Sequence, residues 1–251
     1  MASAGLDVTI DASQLKRPQT FCLQVASKLD RVTAVAMTRA AKAAQLELKA
    51  QTPRYINNPT RWTLNSTFLK PATEKKLITT VGFKDYANTG TPAAKYLNAQ
   101  VIGGPRAAKP MENRLASRGY GSFLAPSGNA PLKLDRFGNV PGGKIVQVLS
   151  RLGAMREAGA QQNATRSTRS RAKRREADYF VAEINGTPAV WARKGKRGIV
   201  PVFFFLRTAP NYKPRFPIPR ILTDAFDKAF RVEFERAVEQ ELAYQLRKAG
   251  G

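Results

Sequence analysis

Side chains that could carry out chemistry are few in this sequence. Its 251 residues contain no histidine and a single cysteine, Cys22. Without histidine there can be no Ser-His or Cys-His pair and no imidazole ligand for zinc, and the commonest general base is missing. A single thiol can build neither an intrachain disulfide nor a thiolate metal site, and its place between Phe21 and Leu23 favours an inert, buried side chain. The residue types therefore predict a protein that is not an enzyme.

Carboxylates and glycines do not change this prediction. Glu235 and Glu239 lie one helical turn apart, but the arginines beside them favour solvent-exposed ion pairs over a metal site. Residues 138–145 fit the G-x-x-x-x-G-K part of a phosphate-binding loop, but Ile145 stands where a hydroxyl residue would hold magnesium. We therefore predict no metal, no nucleotide and no other cofactor.

The dominant chemical feature is positive charge. Lys and Arg number 42 against 18 Asp and Glu, which gives a formal net charge of +24. Residues 95–220 carry 24 basic and 6 acidic side chains, whereas residues 221–251 carry 5 and 6. Such a field predicts an anionic partner, and charge alone does not rank nucleic acid, an acidic protein and a membrane surface. The most apolar run, 199–206, is far shorter than the roughly 20 residues of a membrane span, so we expect no membrane partner.

Two groups of basic residues are the candidate contacts for this partner. The first places six basic residues within ten positions, and the second follows a predicted strand. Their members are Arg166, Arg169, Arg171, Lys173, Arg174, Arg175, Arg193, Lys194, Lys196 and Arg197. Such groups can bind nucleic-acid phosphates without reading sequence, and they can equally dock on an acidic protein or remain in solvent. The nearby Tyr179, Phe180 and Trp191 alternate as strand residues do, which favours a core role over base stacking.

Residues 1–94 are predicted to hold a strand, a helix and a hairpin. Leu6, Val8 and Ile10 alternate with polar residues, as in a half-buried strand. An amphipathic helix is predicted from about residue 27 to 51, with Pro53 as its stop. Two β-rich stretches, 63–70 and 76–83, flank a polar turn and predict the hairpin.

The rest of the chain divides into an insertion and a second regular part. Residues 95–176 form an irregular, basic, Gly- and Pro-rich insertion, with short helices predicted at 109–118 and 143–153. Within residues 177–251, strands are predicted at 179–184, 189–193 and 199–206, and we expect them to join the hairpin in one sheet. A long helix over 220–248 carries an apolar stripe at four-residue spacing, formed by Leu222, Phe226, Phe230, Phe234, Val238 and Leu242.

These elements predict an α+β fold. The N- and C-terminal helices would pack on a mostly antiparallel sheet, and the long basic insertion would project from that body. Sequence-adjacent strands joined by short turns favour antiparallel pairing.

Two segments of the insertion carry a family resemblance. The first runs from Tyr96 to Gly104 and on through 106–115, and the second combines 133–139 with 143–150. They resemble paired signatures of the minor tail and tail-completion, or head-tail joining, proteins of tailed bacteriophages. The signature residues are Tyr96, Asn98, Gln100, Gly103, Gly104, Asp135, Gly138, Asn139 and Gln147. The order of helices, strands and insertion is also similar to that family's, whereas the basic run at 166–175 is not part of its pattern.

The resemblance implies a structural protein of the virion, located in the tail or at the head-tail junction and assembled in the cytoplasm of the host bacterium. Its partners would be other copies of itself in a ring and neighbouring tail, neck or portal-adaptor proteins. A ring of this kind would surround the DNA path, which adds genomic DNA, bound without sequence preference, to the expected partners. The alternative is a sequence-independent DNA-binding or packaging accessory protein that is not retained in the virion.

Overall fold

The computed structural model describes residues 26–88, 90–128, 132–155, 179–194 and 198–249. The chain forms two compact units. Unit 1 contains the described residues of Met1–Tyr55, Arg61–Ala87 and Pro217–Gly251, and unit 2 contains those of Ile56–Thr60 and Asn88–Phe216. The predicted strand at 6–10 and Cys22 lie outside the described residues.

The elements in chain order are α1 (Leu29–Tyr55), α2 (Arg61–Asn65), β1 (Thr67–Lys70), β2 (Thr80–Phe83), α3 (Ala93–Val101), β3 (Gly104–Pro105), α4 (Pro110–Ala116), β4 (Phe123–Pro126), α5 (Gly142–Arg151), β5 (Tyr179–Ile184), β6 (Thr187–Lys194), β7 (Gly198–Leu206), β8 (Asn211–Tyr212) and α6 (Ile218–Ala249). All strand pairs among these elements are antiparallel. The α+β class is therefore confirmed. No helix in these ranges is both long enough and apolar enough to cross a membrane.

In unit 1, the two long helices pair through small side chains. They run antiparallel, since Ala36 packs near Ala237 whereas Tyr55 and Pro217 line one groove at the other end. The smallest buried residues of α1 let the helix axes approach closely; they are Ala36, Ala40, Ala41 and Ala44. The middle of the α6 stripe packs on this contact through Phe230, Phe234 and Val238, which remain half-buried. Both helices were predicted correctly as elements.

One boundary prediction for α1 is wrong. The helix continues past Pro53 to Tyr55, so the proline lies inside the last turn. Pro53 has no N–H to donate to the Lys49 carbonyl, but only two residues of the helix follow it, so the loss is confined to the helix end. Thr52 holds the turn in place, since its side chain is fully buried and its hydroxyl donates to the Leu48 carbonyl over 2.7 Å.

A two-stranded sheet lies against α1. The Gln45 amide donates to the Thr67 hydroxyl over 3.3 Å, which places this side of β1 on the helix. The predicted hairpin is confirmed, but residues 63–65 are helical and β2 begins only at Thr80. Ser66 follows the end of α2: its backbone N–H donates to the Thr63 carbonyl over 3.2 Å, and its hydroxyl donates to the Trp62 carbonyl.

The later strands do not join this sheet, which corrects the prediction of a single sheet. They form a four-stranded sheet in unit 2 with the order β4-β7-β6-β5. The outer edge of β7 is occupied by β4, a strand that the sequence analysis missed, through pairs such as Leu124 with Phe205. Because β4 fills that edge, the hairpin of unit 1 has no place beside β7.

The core of unit 2 lies between this sheet and the short helices α4 and α5. Leu115 and Leu149 of the helices pack with Val190, Val202 and Phe203 of the strands. Along β7 the pairing with β6 is irregular: Val190 faces Phe203, but the next residue of β6 faces Pro201. Val202 is therefore an extra residue, and this bulge turns both Val202 and Phe203 into the core, at 0% and 5% exposure.

Structure within the predicted insertion is more regular than expected. The short helices predicted at 109–118 and 143–153 are confirmed as α4 and α5. Helix α3 and strand β4 were predicted to be irregular, and that prediction is wrong. Both elements are short and take their order from tertiary contacts, which a Gly- and Pro-rich sequence pattern does not reveal.

Candidate functional site

The first signature segment forms the end of α3 and the turn into β3. The backbone carbonyl of Gln100 accepts the N–H groups of Arg215 and Phe216, each over 2.9 Å. Gly103 has a φ of +82°, and a Cβ added there would lie 2.8 Å from Cδ of Pro214. Only glycine fits this turn, because it tolerates the positive φ and leaves room for the proline ring. These signature residues join α3 to the chain that leads out of unit 2.

The remaining residues of the first signature have surface or backbone roles. Tyr96 and Asn98 lie on the exposed side of α3. Gly104 also has a positive φ, +86°, and pairs with Tyr212 in the short β3–β8 sheet. The side-chain oxygen of Gln100 is buried and has no hydrogen-bond partner among the described residues.

A buried ion pair follows directly after this turn. Nη1 of Arg106 lies 2.7 Å from Oε2 of Glu112, and Nη2 of the same guanidinium reaches Oε1. Glu112 also accepts the backbone N–H of Lys109 over 2.6 Å and that of Leu124 over 2.9 Å. Its side chain is 2% exposed, and that of Arg106 is 13% exposed. The carboxylate thus fixes the end of β3, the start of α4 and β4 to one another.

The surroundings of this ion pair shift the pKa values of both side chains. Burial raises the pKa of Glu112, but the hydrogen bonds from Arg106 and from the two backbone N–H groups outweigh burial and hold it below its usual value. The hydrogen bond to Glu112 raises the pKa of Arg106 against the opposing effect of burial. Partial burial, and then the charge of Arg106, lower the pKa of Lys109. The pair is therefore ionised at neutral pH.

Sequence reasoning did not single out this ion pair. Arg106 and Glu112 lie six residues apart, and only Glu112 belongs to a helix, so no single helical or strand pattern links them. One signal was available, because Glu112 is the only carboxylate between Asp85 and Asp135 in a strongly basic stretch. Buried carboxylates require a charge partner, so a single acid among many cations is a candidate for such a pair.

The second signature segment is a tight turn followed by α5. Oδ1 of Asp135 accepts the backbone N–H groups of Phe137 and Asn139 over 2.9 and 2.8 Å. Gly138 supplies the positive φ, +79°, that closes the turn. On α5, Gln147 accepts a hydrogen bond from the Lys144 ammonium over 3.2 Å. The polar residues of this signature shape the backbone locally.

The two signature segments meet in the core of unit 2. Helix α4, in the first, contributes Met111 and Leu115, and helix α5, in the second, contributes Val148 and Leu149. Leu115, Val148 and Leu149 are each at most 1% exposed. Two segments that are separate in the sequence are therefore parts of one packed module.

Of the ten basic candidates, the described residues include Arg193 and Lys194, both in β6. The others lie outside the described residues: Arg166, Arg169, Arg171, Lys173, Arg174, Arg175, Lys196 and Arg197. The Arg193 side chain is exposed, and its Cζ atom lies 5.0 Å from the ring centre of Phe180. A guanidinium in this position makes a cation–π contact.

Strand pairing defines where these residues lie in the sheet. Tyr179, the first residue of β5, pairs with Ala192 near the end of β6. Lys194, the last residue of β6, pairs with Gly198, the first of β7. The start of β5, the end of β6 and the start of β7 therefore share one end of the sheet, which we call the basic strand end. In the sequence, the run 166–175 precedes β5, and Lys196 and Arg197 stand between β6 and β7.

The aromatic residues near this end behave as the sequence analysis predicted. Tyr179 and Trp191 are each 8% exposed, and the Trp191 indole N–H donates to the Ala182 carbonyl over 3.0 Å. Burial raises the pKa of Tyr179. Phe180 is half-buried beneath Arg193. The core interpretation of Tyr179 and Trp191 is confirmed, and neither offers a face for stacking.

Carboxylates are scarce around the cations of unit 2. Its described residues contain three, of which Glu112 is bound by Arg106 and Asp135 is occupied by its own turn. The third, Glu183, lies on β5. Across the described ranges of unit 2, Arg106–Glu112 is the only ion pair. No group of three or more Cys, Asp and Glu residues that could hold a metal occurs in the part of the chain that the structure describes.

Comparisons with known proteins add no relative to this description. No protein-family model, no curated protein and no solved structure matches the chain. The interpretation of the site therefore rests on the geometry of unit 2 and on the sequence.

Proposed function

We propose that this protein is a non-enzymatic structural subunit of a tailed-bacteriophage particle. It would form a ring with copies of itself in the tail or at the head-tail junction, around the DNA path, and contact neighbouring tail, neck or portal-adaptor proteins. The observation that carries the proposal is the packing of α4 on α5 in one core, through Leu115 and Leu149. Both signature segments therefore belong to one packed module, as parts of a shared family fold would.

The roles of the signature residues support a structural subunit. Gly103 and Gly138 allow two tight turns, Asp135 closes one of them, and Glu112 joins three segments through buried hydrogen bonds. Each of these residues serves to hold backbone in place. A module defined in this way presents a rigid surface to its neighbours, as a ring subunit requires.

The sheet of unit 2 supports assembly with further copies. Among the described residues, β4 and β5 are its edge strands. An edge strand offers unpaired N–H and C=O groups that can pair with another chain. Joining subunits edge to edge, head to tail, closes a ring when the rotation between neighbours divides a full turn.

The test is mass spectrometry of purified, DNase-treated particles of the phage that encodes this chain. We expect a fixed copy number relative to the portal protein, of the order of one ring. A phage protein that is abundant in the lysate but not packaged serves as the contamination control. Absence of the chain from particles, at the level of that control, would overturn the proposal.

A second candidate function is favoured by the charge of unit 2. A protein that binds DNA or assists packaging without entering the virion would also need cations that no carboxylate neutralises, and the described part of unit 2 has a single ion pair. The same measurement separates the two functions. Absence from particles, combined with tight and salt-sensitive DNA binding by the free protein, would select the accessory role.

A further inference from the structure

We propose that the Arg106–Glu112 ion pair is an autoinhibitory contact on the outer edge of β4. In the free chain it keeps closed the edge through which unit 2 takes up a strand of a second copy. The inference rests on the proposed function, in which copies join into a ring, and it names how one edge of the sheet is regulated.

The backbone groups of β4 that point away from β7 are those of Leu124 and Pro126. The N–H of Ser127, the residue after the strand, donates to the Val202 carbonyl of β7 over 3.0 Å. Along an antiparallel strand the backbone groups of successive residues point alternately to one side and the other, so those of Leu124 and Pro126 point to the outer edge. Because proline has no N–H, Leu124 provides the only outward N–H of β4.

The ion pair occupies both backbone groups of Leu124. Oε1 of Glu112 accepts the N–H over 2.9 Å, and Nη2 of Arg106 lies 3.4 Å from the carbonyl oxygen. The pair thus offers the acceptor and the donor that the backbone of a neighbouring strand would offer. Glu112 is held in this position by α4, since its other oxygen accepts the N–H of Lys109 over 2.6 Å.

A second copy carries a strand that fits this edge. The sheet order β4-β7-β6-β5 places β4 and β5 at opposite edges. Every pair in the sheet is antiparallel, so β4 and β5 run in opposite directions. If a second copy continues the sheet in the same orientation, its β5 meets β4 in an antiparallel direction, as in the other pairs. This head-to-tail joint is the kind that a ring requires.

The charges of the two edges are complementary. Strand β5 has one charged residue, Glu183, which is exposed and forms no ion pair in the described structure. The edge of β4 carries Arg106, and the exposed Lys109 lies next to the same carboxylate of Glu112. A β5 strand that displaces Glu112 from Leu124 therefore brings another carboxylate towards these cations.

A closed edge limits assembly of the free chain. A head-to-tail joint repeats until the copies close into a ring, and it gives open filaments when they do not close. Each copy needs two available edges for such growth. Among the described residues no strand lies beyond β5, whereas β4 is covered by side chains of its own unit. The free chain therefore presents one edge, which is not enough for repeated addition.

The test compares self-association of the full-length protein with that of the double variant Arg106→Met, Glu112→Leu, by sedimentation over a range of protein concentrations. Replacing both partners leaves no buried charge without a counter-charge, and circular dichroism checks that the variant is folded. We expect its dissociation constant for self-association to be at least about tenfold lower than that of the wild type. This factor corresponds to the loss of one competing hydrogen bond from a charged group.

The matched control is Arg231→Met with Glu235→Leu. It makes the same replacements at an exposed ion pair of α6, so any association caused by added apolar surface alone appears in it as well. We expect the control to associate no more tightly than the wild type.

Hydrogen exchange identifies the contact. In the wild type the N–H of Leu124 should exchange slowly at every protein concentration, because Glu112 accepts it. In the double variant it should exchange fast in dilute solution and slowly in concentrated solution. Further N–H groups of β5 should slow over the same concentration range, because the two strands pair with each other.

Three outcomes would overturn the inference. They are association of the folded double variant no tighter than that of the wild type or the control; a Leu124 N–H that stays fast in concentrated solution; and slowing at Leu124 without slowing in β5. If the double variant does not fold, Arg106→Lys takes its place, because lysine keeps the charge but has a single nitrogen for Glu112 and Leu124. It should associate more tightly than the wild type, and equal association would then overturn the inference.

These results are independent of the count of copies in particles. If the chain is present in particles and the edge of β4 does not behave as described, the proposed function stands and the copies join through another surface. If the edge behaves as described and particles lack the chain, the contact is real and the virion role is wrong.

Discussion

In the described residues of unit 1, five ion pairs join arginines to carboxylates, whereas unit 2 has one. The pairs of unit 1 lie mostly on the exposed sides of its helices, as between Arg231 and Glu235. The single pair of unit 2, Arg106–Glu112, is buried. Unit 1 neutralises much of its charge within its own fold, whereas the described surface cations of unit 2 form no ion pairs.

The cores of the two units differ as well. The helix contact in unit 1 is formed mainly by alanines together with Val32, and Leu48 is fully buried, but the large residues of the α6 stripe stay half-buried. The core of unit 2 encloses large side chains such as Leu115, Leu149 and Phe203. Burial of apolar area is the main favourable term in folding, so a given large side chain contributes more in unit 2. The comparison indicates that the cationic surface of unit 2 lies on a core with larger buried side chains than the helix contact of unit 1 has.

The variant Glu112→Gln tests the buried ion pair and has the largest expected effect. It leaves the Arg106 guanidinium buried without a counter-charge, so the unfolding free energy should fall by about 3–5 kcal/mol. Urea unfolding followed by the fluorescence of Trp191 in unit 2, with Trp62 of unit 1 replaced by Phe, measures this loss. The control Glu235→Gln breaks an exposed pair of unit 1 and should cost less than about 1 kcal/mol, measured by the fluorescence of Trp62 in unit 1 with Trp191 replaced by Phe. Equal losses would contradict the difference between the units.

Two leucine truncations on helices sharpen the comparison of the cores. Leu149→Ala, in α5, removes a side chain that is 1% exposed and should lower the unfolding free energy by about 2–5 kcal/mol. Leu222→Ala, in α6, removes a half-buried side chain and should cost at most about half as much. Denaturant midpoints followed by far-ultraviolet circular dichroism measure both changes. A larger loss for Leu222→Ala would mean that the stripe of α6 is a principal core.

The pH dependence of stability gives the smallest expected effect. The pKa of Glu112 is lower in the folded than in the unfolded chain, so its ionised form stabilises the fold above the unfolded pKa of about 4.3. That contribution is lost as pH falls through the folded pKa. The difference in unfolding free energy between the wild type and Glu112→Gln should therefore shrink progressively as pH falls from about 5 through the folded pKa. For Leu149→Ala the difference should stay constant over this range, and a parallel decrease would exclude Glu112 as its cause.

The sequence predicts long elements better than short ones. Helices α1 and α6 carry periodic apolar residues over many turns, and the strands between 179 and 206 are rich in β-forming residues, so local pattern is sufficient for them. Helix α3 and strand β4 lie in a Gly- and Pro-rich stretch, and their order depends on distant partners. The carbonyl of Gln100 binds the N–H of Phe216, and the N–H of Leu124 binds Glu112. Contacts of this kind join residues that are distant in the sequence, so the spacing of residues within one segment does not reveal them.

The sequence predicts which residues could form the candidate site, but it does not predict how they are arranged in space. The sequence marks Arg193 and the run 166–175 as candidates, because charge can be counted. It does not reveal that the start of β5 and the end of β6 share one end of a sheet, since register is set by pairing across strands. The signature residues Gly103 and Asp135 were recognised by resemblance, and the structure adds the physical reason, which is the geometry of two turns.

The extra residue in β7 determines how this strand can align with β6. Before the bulge the core face takes Val200 and Val202, and after it the core face takes Phe203 and Phe205, so the inside-outside alternation changes phase halfway along the strand. A regular hairpin can slip by two residues and still bury the same face. Here a slip of any length exposes one half of the strand's apolar side chains. The bulge therefore disfavours misaligned pairing of β6 with β7. Without Val202, we expect these two strands to pair in more than one register.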